Sequence, residues 1–69
     1  MTEYAVIIER GETGFGAYVP DLPGCVATGS SREEVERRIR DAIVLHVEEL
    51  RRSGEAVPEP RTAVSAVDI

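Results

Sequence analysis

A rigid connection between two short apolar runs constrains the fold of this chain more than any other feature. Residues 15–19 read Phe-Gly-Ala-Tyr-Val, residues 20–24 read Pro-Asp-Leu-Pro-Gly, and residues 25–28 read Cys-Val-Ala-Thr. Aromatic and β-branched residues favour strands, and two prolines with a glycine leave the connection little conformational freedom. The sequence therefore predicts two antiparallel strands, over 15–19 and 25–28, joined by a fixed turn.

A further strand is predicted ahead of this pair. Residues 4–8 read Tyr-Ala-Val-Ile-Ile and are apolar on both faces of a strand, because successive side chains point to opposite sides. The polar residues 9–14, which include two glycines, predict a hairpin to the next strand. The first three strands are therefore expected to form an antiparallel meander.

The hydrophobic period changes to that of a helix after residue 30. Ser31 and Glu34 have the spacing of a capping box, and Gly54 suits the left-handed position just past a helix end. Seven residues form one stripe at helical spacing: Val35, Ile39, Ala42, Ile43, His46, Val47 and Leu50. We expect a helix over residues 31–52.

The last segment predicts a return to the sheet. Residues 55–60 contain two prolines and are expected to be extended, and Thr62–Ile69, rich in Ala and Val, is predicted to be a fourth strand. A right-handed crossover then places strand four parallel to strand one. The expected fold is α+β, with order β-β-β-α-β: a single domain over residues 1–69, in which one helix covers one face of a four-stranded mixed sheet of order 3-2-1-4.

One helix cannot cover both faces of such a sheet. Strand one is apolar on both sides, so its second face is either exposed, which is unusual for a monomer, or covered by another chain. On the helix, Val44 falls opposite the apolar stripe and Leu45 lies to one side of it. We expect a homo-oligomer built on the open sheet face, on this helix face, or on both, with Val44, Leu45 and Glu48 as candidate partner or oligomer contacts.

No set of residues in the sequence is typical of a catalytic, cofactor or metal site, and we expect none of the three. Asp21 in the turn is interpreted as a cap of its own turn rather than a cation ligand. Cys25 has no visible base beside it and is interpreted as a buried thiol. His46, the only histidine, lies on the apolar helix stripe and is interpreted as a structural residue.

The charge balance bears on the possible partners. The net charge is −5, from 13 acidic residues against eight arginines. An autonomous nucleic-acid binder usually carries a basic patch, so we expect no direct binding of nucleic acid, whereas a basic protein partner is compatible. The start of the chain does not resemble a signal peptide and no apolar run suffices to span a membrane, so we expect a cytoplasmic location without membrane association.

The turn and its flanks resemble a known family. Residues 14–29, Gly-Phe-Gly-Ala-Tyr-Val-Pro-Asp-Leu-Pro-Gly-Cys-Val-Ala-Thr-Gly, followed by a Ser-x-x-Glu helix start, are similar to the N-terminal domain of HicB-type antitoxins. Residues 45–50, Leu-His-Val-Glu-Glu-Leu, and residues 54–60 resemble the same family. The resemblance implies a partly degraded ribonuclease-H-like fold. It also implies that the chain binds a HicA-type toxin, which cleaves mRNA, and blocks its active site.

The sequence leaves two alternatives to an antitoxin. The first is a HicB-like structural or ligand-binding module with no toxin partner. The second is a nuclease, since ribonuclease-H-like enzymes need several carboxylates converging on two metal ions. The middle of strand one is Val6-Ile7-Ile8 and strand four offers only Asp68, so we expect no enzymatic activity.

Overall fold

Three strands and one helix form the fold in the computed structural model, which describes residues 2–69. The strands are β1 (Ile7–Arg10), β2 (Phe15–Tyr18) and β3 (Val26–Gly29), and the helix is α1 (Arg32–Arg52). Both strand pairings are antiparallel, and the sheet has the order β1-β2-β3. The predicted α+β meander and its covering helix are confirmed.

The first strand begins later than the sequence predicts. Tyr4–Val6 lie outside β1, and the last pairing of β1 with β2 at this end joins Ile7 to Tyr18. The next residues of the second run are Val19 and Pro20. Val19 N–H donates to the Cys25 carbonyl across the turn, and Pro20 has no N–H to donate. The apolar residues before Ile7 therefore have no strand partner in β2.

The predicted fourth strand is wrong for residues 62–69. Within the described chain these residues form no strand, so the sheet has three strands and no crossover, not four in the order 3-2-1-4. A strand forms only where its backbone finds a partner, and this segment is held elsewhere. Pro58 accepts a hydrogen bond from Tyr4, and the Asp21 carboxylate binds the backbone of Arg61 and Thr62. The chain is thereby directed to the β2–β3 turn.

Helix α1 begins and ends where its caps predict. Ser31 Oγ accepts from Glu34 N–H at 3.1 Å, and the Glu34 carboxylate accepts from Ser30 N–H at 2.6 Å, one residue earlier than in a standard capping box. At the other end Gly54 has a φ of 75°, and Glu55 N–H donates to the Leu50 carbonyl. These bonds satisfy backbone groups that a helix end leaves free.

The core lies between α1 and one face of the sheet. It is formed by six buried residues, drawn from β2, the β2–β3 turn and the first half of the helix: Ala17, Val19, Leu22, Cys25, Val35 and Ile39. Tyr4, Val6 and Ile8 pack against it from the first run. Gly29 lets the end of β3 approach the helix start, because a Cβ there would lie 2.8 Å from the Val35 nitrogen.

Candidate protein-interaction surfaces

The face of the sheet opposite the helix carries an apolar row, which we call the open face. Ile7, Tyr18 and Val26 are direct cross-strand partners in β1, β2 and β3. Ala17, the residue before Tyr18 in β2, points to the opposite face and is buried on the helix side. Tyr18 is 41% exposed and Val26 is 64% exposed. Cross-strand neighbours of this kind form one continuous surface, so the apolar patch is contiguous.

The next row of the open face is polar and acidic. It is made of Glu9, Gly16 and Thr28, which are cross-strand partners. Glu9 is exposed, and a Cβ added at Gly16 would meet nothing within 4 Å. Neither row contains an arginine. The open face therefore combines an exposed apolar row with a negative charge beside it.

A second surface is a groove between the first run and the helix, which we call the β1–α1 groove. It comprises two adjoining cavities of about 470 and 310 Å³, which share Thr2, Tyr4, Ile43 and Val44. Its apolar lining comes from both sides: Tyr4, Val6, Ile8, Ile39, Ile43, Val44, Val47 and Val57. The groove lies along the outer edge of β1, because β1 pairs only with β2.

The structure brings together two of the three contact residues that the sequence predicts. Val44 and Glu48 line the β1–α1 groove. Val44 is 52% exposed. Leu45 is 67% exposed and lies outside the groove lining. The helix therefore presents Val44 and Glu48 to the groove and Leu45 to a neighbouring part of its surface.

Asp21 does not cap its own turn, so that interpretation is wrong. Its Oδ2 accepts hydrogen bonds from Arg61 N–H at 2.9 Å and Thr62 N–H at 3.0 Å, and Oδ1 accepts from the Thr62 hydroxyl at 2.8 Å. The turn itself is closed by backbone bonds, from Leu22 N–H to the Val19 carbonyl and from Cys25 N–H to the Leu22 carbonyl. Asp21 thus fastens the chain after the helix to the β2–β3 turn.

These hydrogen bonds stabilise the ionised form of Asp21. The Arg61 and Thr62 backbone N–H groups therefore lower the pKa of the Asp21 carboxyl below its ordinary value. The partners lie 40 and 41 residues away in the sequence. No local pattern around residue 21 distinguishes such a distant link from a turn cap.

The chain beyond this attachment is free of the rest of the molecule. We call residues 63–69 the C-terminal arm; every one of them is exposed, with Val64 at 70% and Val67 at 76%. Its sequence, Ala-Val-Ser-Ala-Val-Asp-Ile, is mostly apolar. The apolar side chains of the arm are therefore exposed to solvent.

The single cysteine is a core residue, as the sequence predicts. Cys25 is 3% exposed, and burial raises the pKa of its thiol. A buried thiol with a raised pKa is a poor nucleophile. His46, by contrast, is half-buried on α1 rather than part of the core.

Residues 2–69 contain neither a metal-binding cluster nor a membrane-spanning helix. No group of three or more His, Cys, Asp or Glu side chains among them is placed to hold a metal ion. No helix in this part of the chain combines the length and apolar character needed to cross a membrane.

Comparison with known proteins identifies relatives over most of the chain. A family model described as a HicB-like antitoxin of a bacterial toxin–antitoxin system matches residues 4–68. A UPF0150 protein of Helicobacter pylori strain J99 is 40% identical over 60 residues, which are 87% of this chain and 83% of that protein. A UPF0150 protein of Thermoplasma acidophilum is 37% identical over 57 residues, 81% of this chain and 83% of that protein.

A solved structure matches the fold directly. A chain in a HicA3 and HicB3 toxin–antitoxin complex superposes with a TM-score of 0.74 and is 28% identical in sequence. The superposition covers 87% of this chain and 70% of that chain. The three-stranded meander and its single helix are therefore shared with a component of a toxin–antitoxin assembly.

Proposed function

Because this chain belongs to the HicB-like antitoxin family of bacterial toxin–antitoxin systems, we propose that it binds a HicA-type, mRNA-cleaving toxin and neutralises it. The observation that carries the proposal is the superposition on a chain of a HicA3–HicB3 complex over 87% of the present chain. The two folds share the elements that could present a binding surface.

We place the toxin on the open face. Ile7, Tyr18 and Val26 supply a contiguous apolar surface, and Glu9 adds negative charge beside it. The whole chain carries a net charge of −5. A small basic protein is the partner that such a surface attracts, since complementary charge speeds encounter and apolar contacts at the centre supply affinity.

The proposed mechanism is steric and needs no chemistry from this chain. The middle of the first run is Val6-Ile7-Ile8, so no carboxylate occupies the position where a ribonuclease-H-like fold would carry one. We interpret the fold as a partly degraded ribonuclease-H-like domain that binds the toxin and blocks its active site. We place this action in the cytoplasm, where mRNA is the toxin's substrate.

We also propose that the protein is a homo-oligomer. Val44 and Leu45 are more than half exposed on α1, and Val44 and Glu48 border an apolar groove. A domain of this length rarely gains enough stability from its own core. We assign Val44, Leu45 and Glu48 to the oligomer interface.

Co-expression with a HicA-type toxin from a neighbouring reading frame tests the antitoxin function. We expect the chain to restore growth and to co-purify with the toxin. Val26→Arg should reduce toxin affinity at least about tenfold, because it places a cation at an apolar contact with a basic partner. Val44→Arg is the matched control on the helix and should leave toxin affinity unchanged.

The outcomes separate the hypotheses. Failure of the folded chain to bind the toxin or to restore growth would favour a HicB-like module without a toxin partner. Retained binding by Val26→Arg, together with loss of binding by Val44→Arg, would move the toxin from the open face to the helix.

A further inference from the structure

The outer edge of the first run is an unpaired strand edge. β1 is at the edge of the sheet and pairs only with β2. The three residues before it, Tyr4–Val6, have no strand partner at all, although they are apolar. An edge of this kind presents free N–H and C=O groups to another extended segment.

The β1–α1 groove lies beside that edge. Its walls are Tyr4, Val6 and Ile8 on the strand side and Ile43 and Val44 on the helix side. Side chains of a strand alternate between two faces. A strand added to this edge would therefore insert every second side chain into the groove.

The C-terminal arm has the sequence of such a strand. Ala63, Ser65, Val67 and Ile69 share one side of an extended chain, and Val64, Ala66 and Asp68 share the other. The arm has seven residues, about 23 Å when extended, and the stretch from Tyr4 to Arg10, whose outer edge is unpaired, also has seven. The two segments match in length and in apolar character.

The arm does not fill the groove of its own chain. Asp21 binds the backbone of Arg61 and Thr62 at the β2–β3 turn, and β2 and β3 are the strands farther from the outer edge of β1. All residues of the arm beyond this attachment are exposed. The arm is therefore exposed and lies outside the groove of its own chain.

We propose that two copies of this chain exchange their C-terminal arms, each arm pairing as a β-strand with the β1 edge of the other copy. The side with Val67 and Ile69 lies in the β1–α1 groove, against Val44. The exchange is reciprocal, as in a two-fold dimer, and each main-chain pairing extends the partner's sheet to four strands. The inference rests on the proposed homo-oligomer and specifies its contact; it is independent of toxin binding.

Two valines of similar exposure provide the test of assembly. Val67→Arg should raise the dimer dissociation constant at least about tenfold, because a cation replaces an apolar side chain in the groove. Val26→Arg, on the open face, should leave dimerisation unchanged. Sedimentation equilibrium of the full chain measures both. A monomeric wild-type chain at micromolar concentration would overturn the proposal, as would a dimer that Val67→Arg does not weaken.

A mixed-label experiment tests the exchange itself. A spin label on Asp68→Cys is placed on unlabelled protein, which is mixed with ¹⁵N-labelled wild-type chain; Cys25 is buried and is expected to be spared by the reagent. Amides of residues 4–10 should broaden in the mixture. Broadening found only when both labels are on the same chain would show that the arm folds back, and would overturn the exchange.

Failure of the arm exchange and failure of the antitoxin function give different experimental results. Toxin binding is measured per chain, and we expect Val67→Arg to keep toxin affinity and Val26→Arg to keep dimerisation. A variant pair in which both properties always change together would contradict the assignment of toxin and arm to separate surfaces.

Discussion

At the scale of single residues, one carboxylate joins two distant parts of the chain. Asp21 lies in the rigid turn that dominates the sequence, and it joins that turn to Arg61 and Thr62. The three hydrogen bonds to its oxygens use two backbone N–H groups and one hydroxyl. Asp21 therefore holds the start of the C-terminal arm at the β2–β3 turn.

The Asp21 attachment should depend on pH. The pKa of its carboxyl is lowered in the folded chain, so its contribution to stability is fully present above the ordinary aspartate pKa and is lost as pH falls through the lower, folded value. The protection of the Arg61 and Thr62 amides, measured relative to the intrinsic exchange rate at each pH, should fall over that acidic range. Asp21→Asn should show faster exchange at neutral pH, whereas the control Asp41→Asn, on the exposed helix surface, should not. Equal exchange in both variants would contradict the attachment.

Two glycines provide a matched pair. A Cβ at Gly29 would lie 2.8 Å from the Val35 nitrogen, whereas one at Gly16 would meet nothing within 4 Å. We expect Gly29→Ala to lower the free energy of unfolding by about 1–3 kcal/mol, as overpacking does. Gly16→Ala should leave it unchanged or raise it by up to about 1 kcal/mol. Urea denaturation measures both, and an equal effect of the two substitutions would contradict the close approach of β3 to α1.

At the scale of elements, helix α1 was predicted most completely. Its bounds follow from Ser31, Glu34 and Gly54, whose roles depend on residues within one turn of each end. The meander was also predicted, because its hairpins are local. Strand four was predicted wrongly, because apolar alternation identifies a segment able to pair and says nothing of the partner. The Asp21 attachment is a contact across 40 residues of sequence, which the alternation pattern does not contain.

The helix cap gives a test at this scale. Ser31→Ala removes the acceptor of Glu34 N–H and should cost about 1 kcal/mol of unfolding free energy. Ser53→Ala is the matched control at the other end, where the cap bonds come from the backbone N–H and not from the side chain. Thermal denaturation should separate the two variants; a Ser53→Ala effect as large as that of Ser31→Ala would contradict the assignment of the cap.

A second pair of substitutions tests which side of α1 forms the dimer contact. Val44 lines the β1–α1 groove and Leu45 does not. If the arm of a second copy occupies the groove, Val44→Glu should weaken dimerisation at least about tenfold, and Leu45→Glu should weaken it less. Light scattering over a dilution series measures both. A larger effect at Leu45 would place the contact on the outer side of the helix.

At the scale of the whole molecule, one helix covers one face and the remaining apolar surface is left for partners. The sequence predicted this imbalance, since the first run is apolar on both sides and only one helix follows. Val44, Leu45 and Glu48 stay predicted contacts, and the structure places Val44 and Glu48 at one groove. It could not predict the open face as a unit, because Ile7, Tyr18 and Val26 become neighbours only through the strand register.

Inhibition of RNA cleavage is the decisive test of the proposed antitoxin function. A purified HicA-type toxin from a neighbouring reading frame is incubated with RNA and increasing amounts of this chain, with Val26→Arg in parallel. We expect cleavage to stop near a stoichiometric amount of the wild-type chain, and Val26→Arg to require at least about tenfold more protein. Undiminished cleavage at an excess of folded wild-type chain would contradict that function.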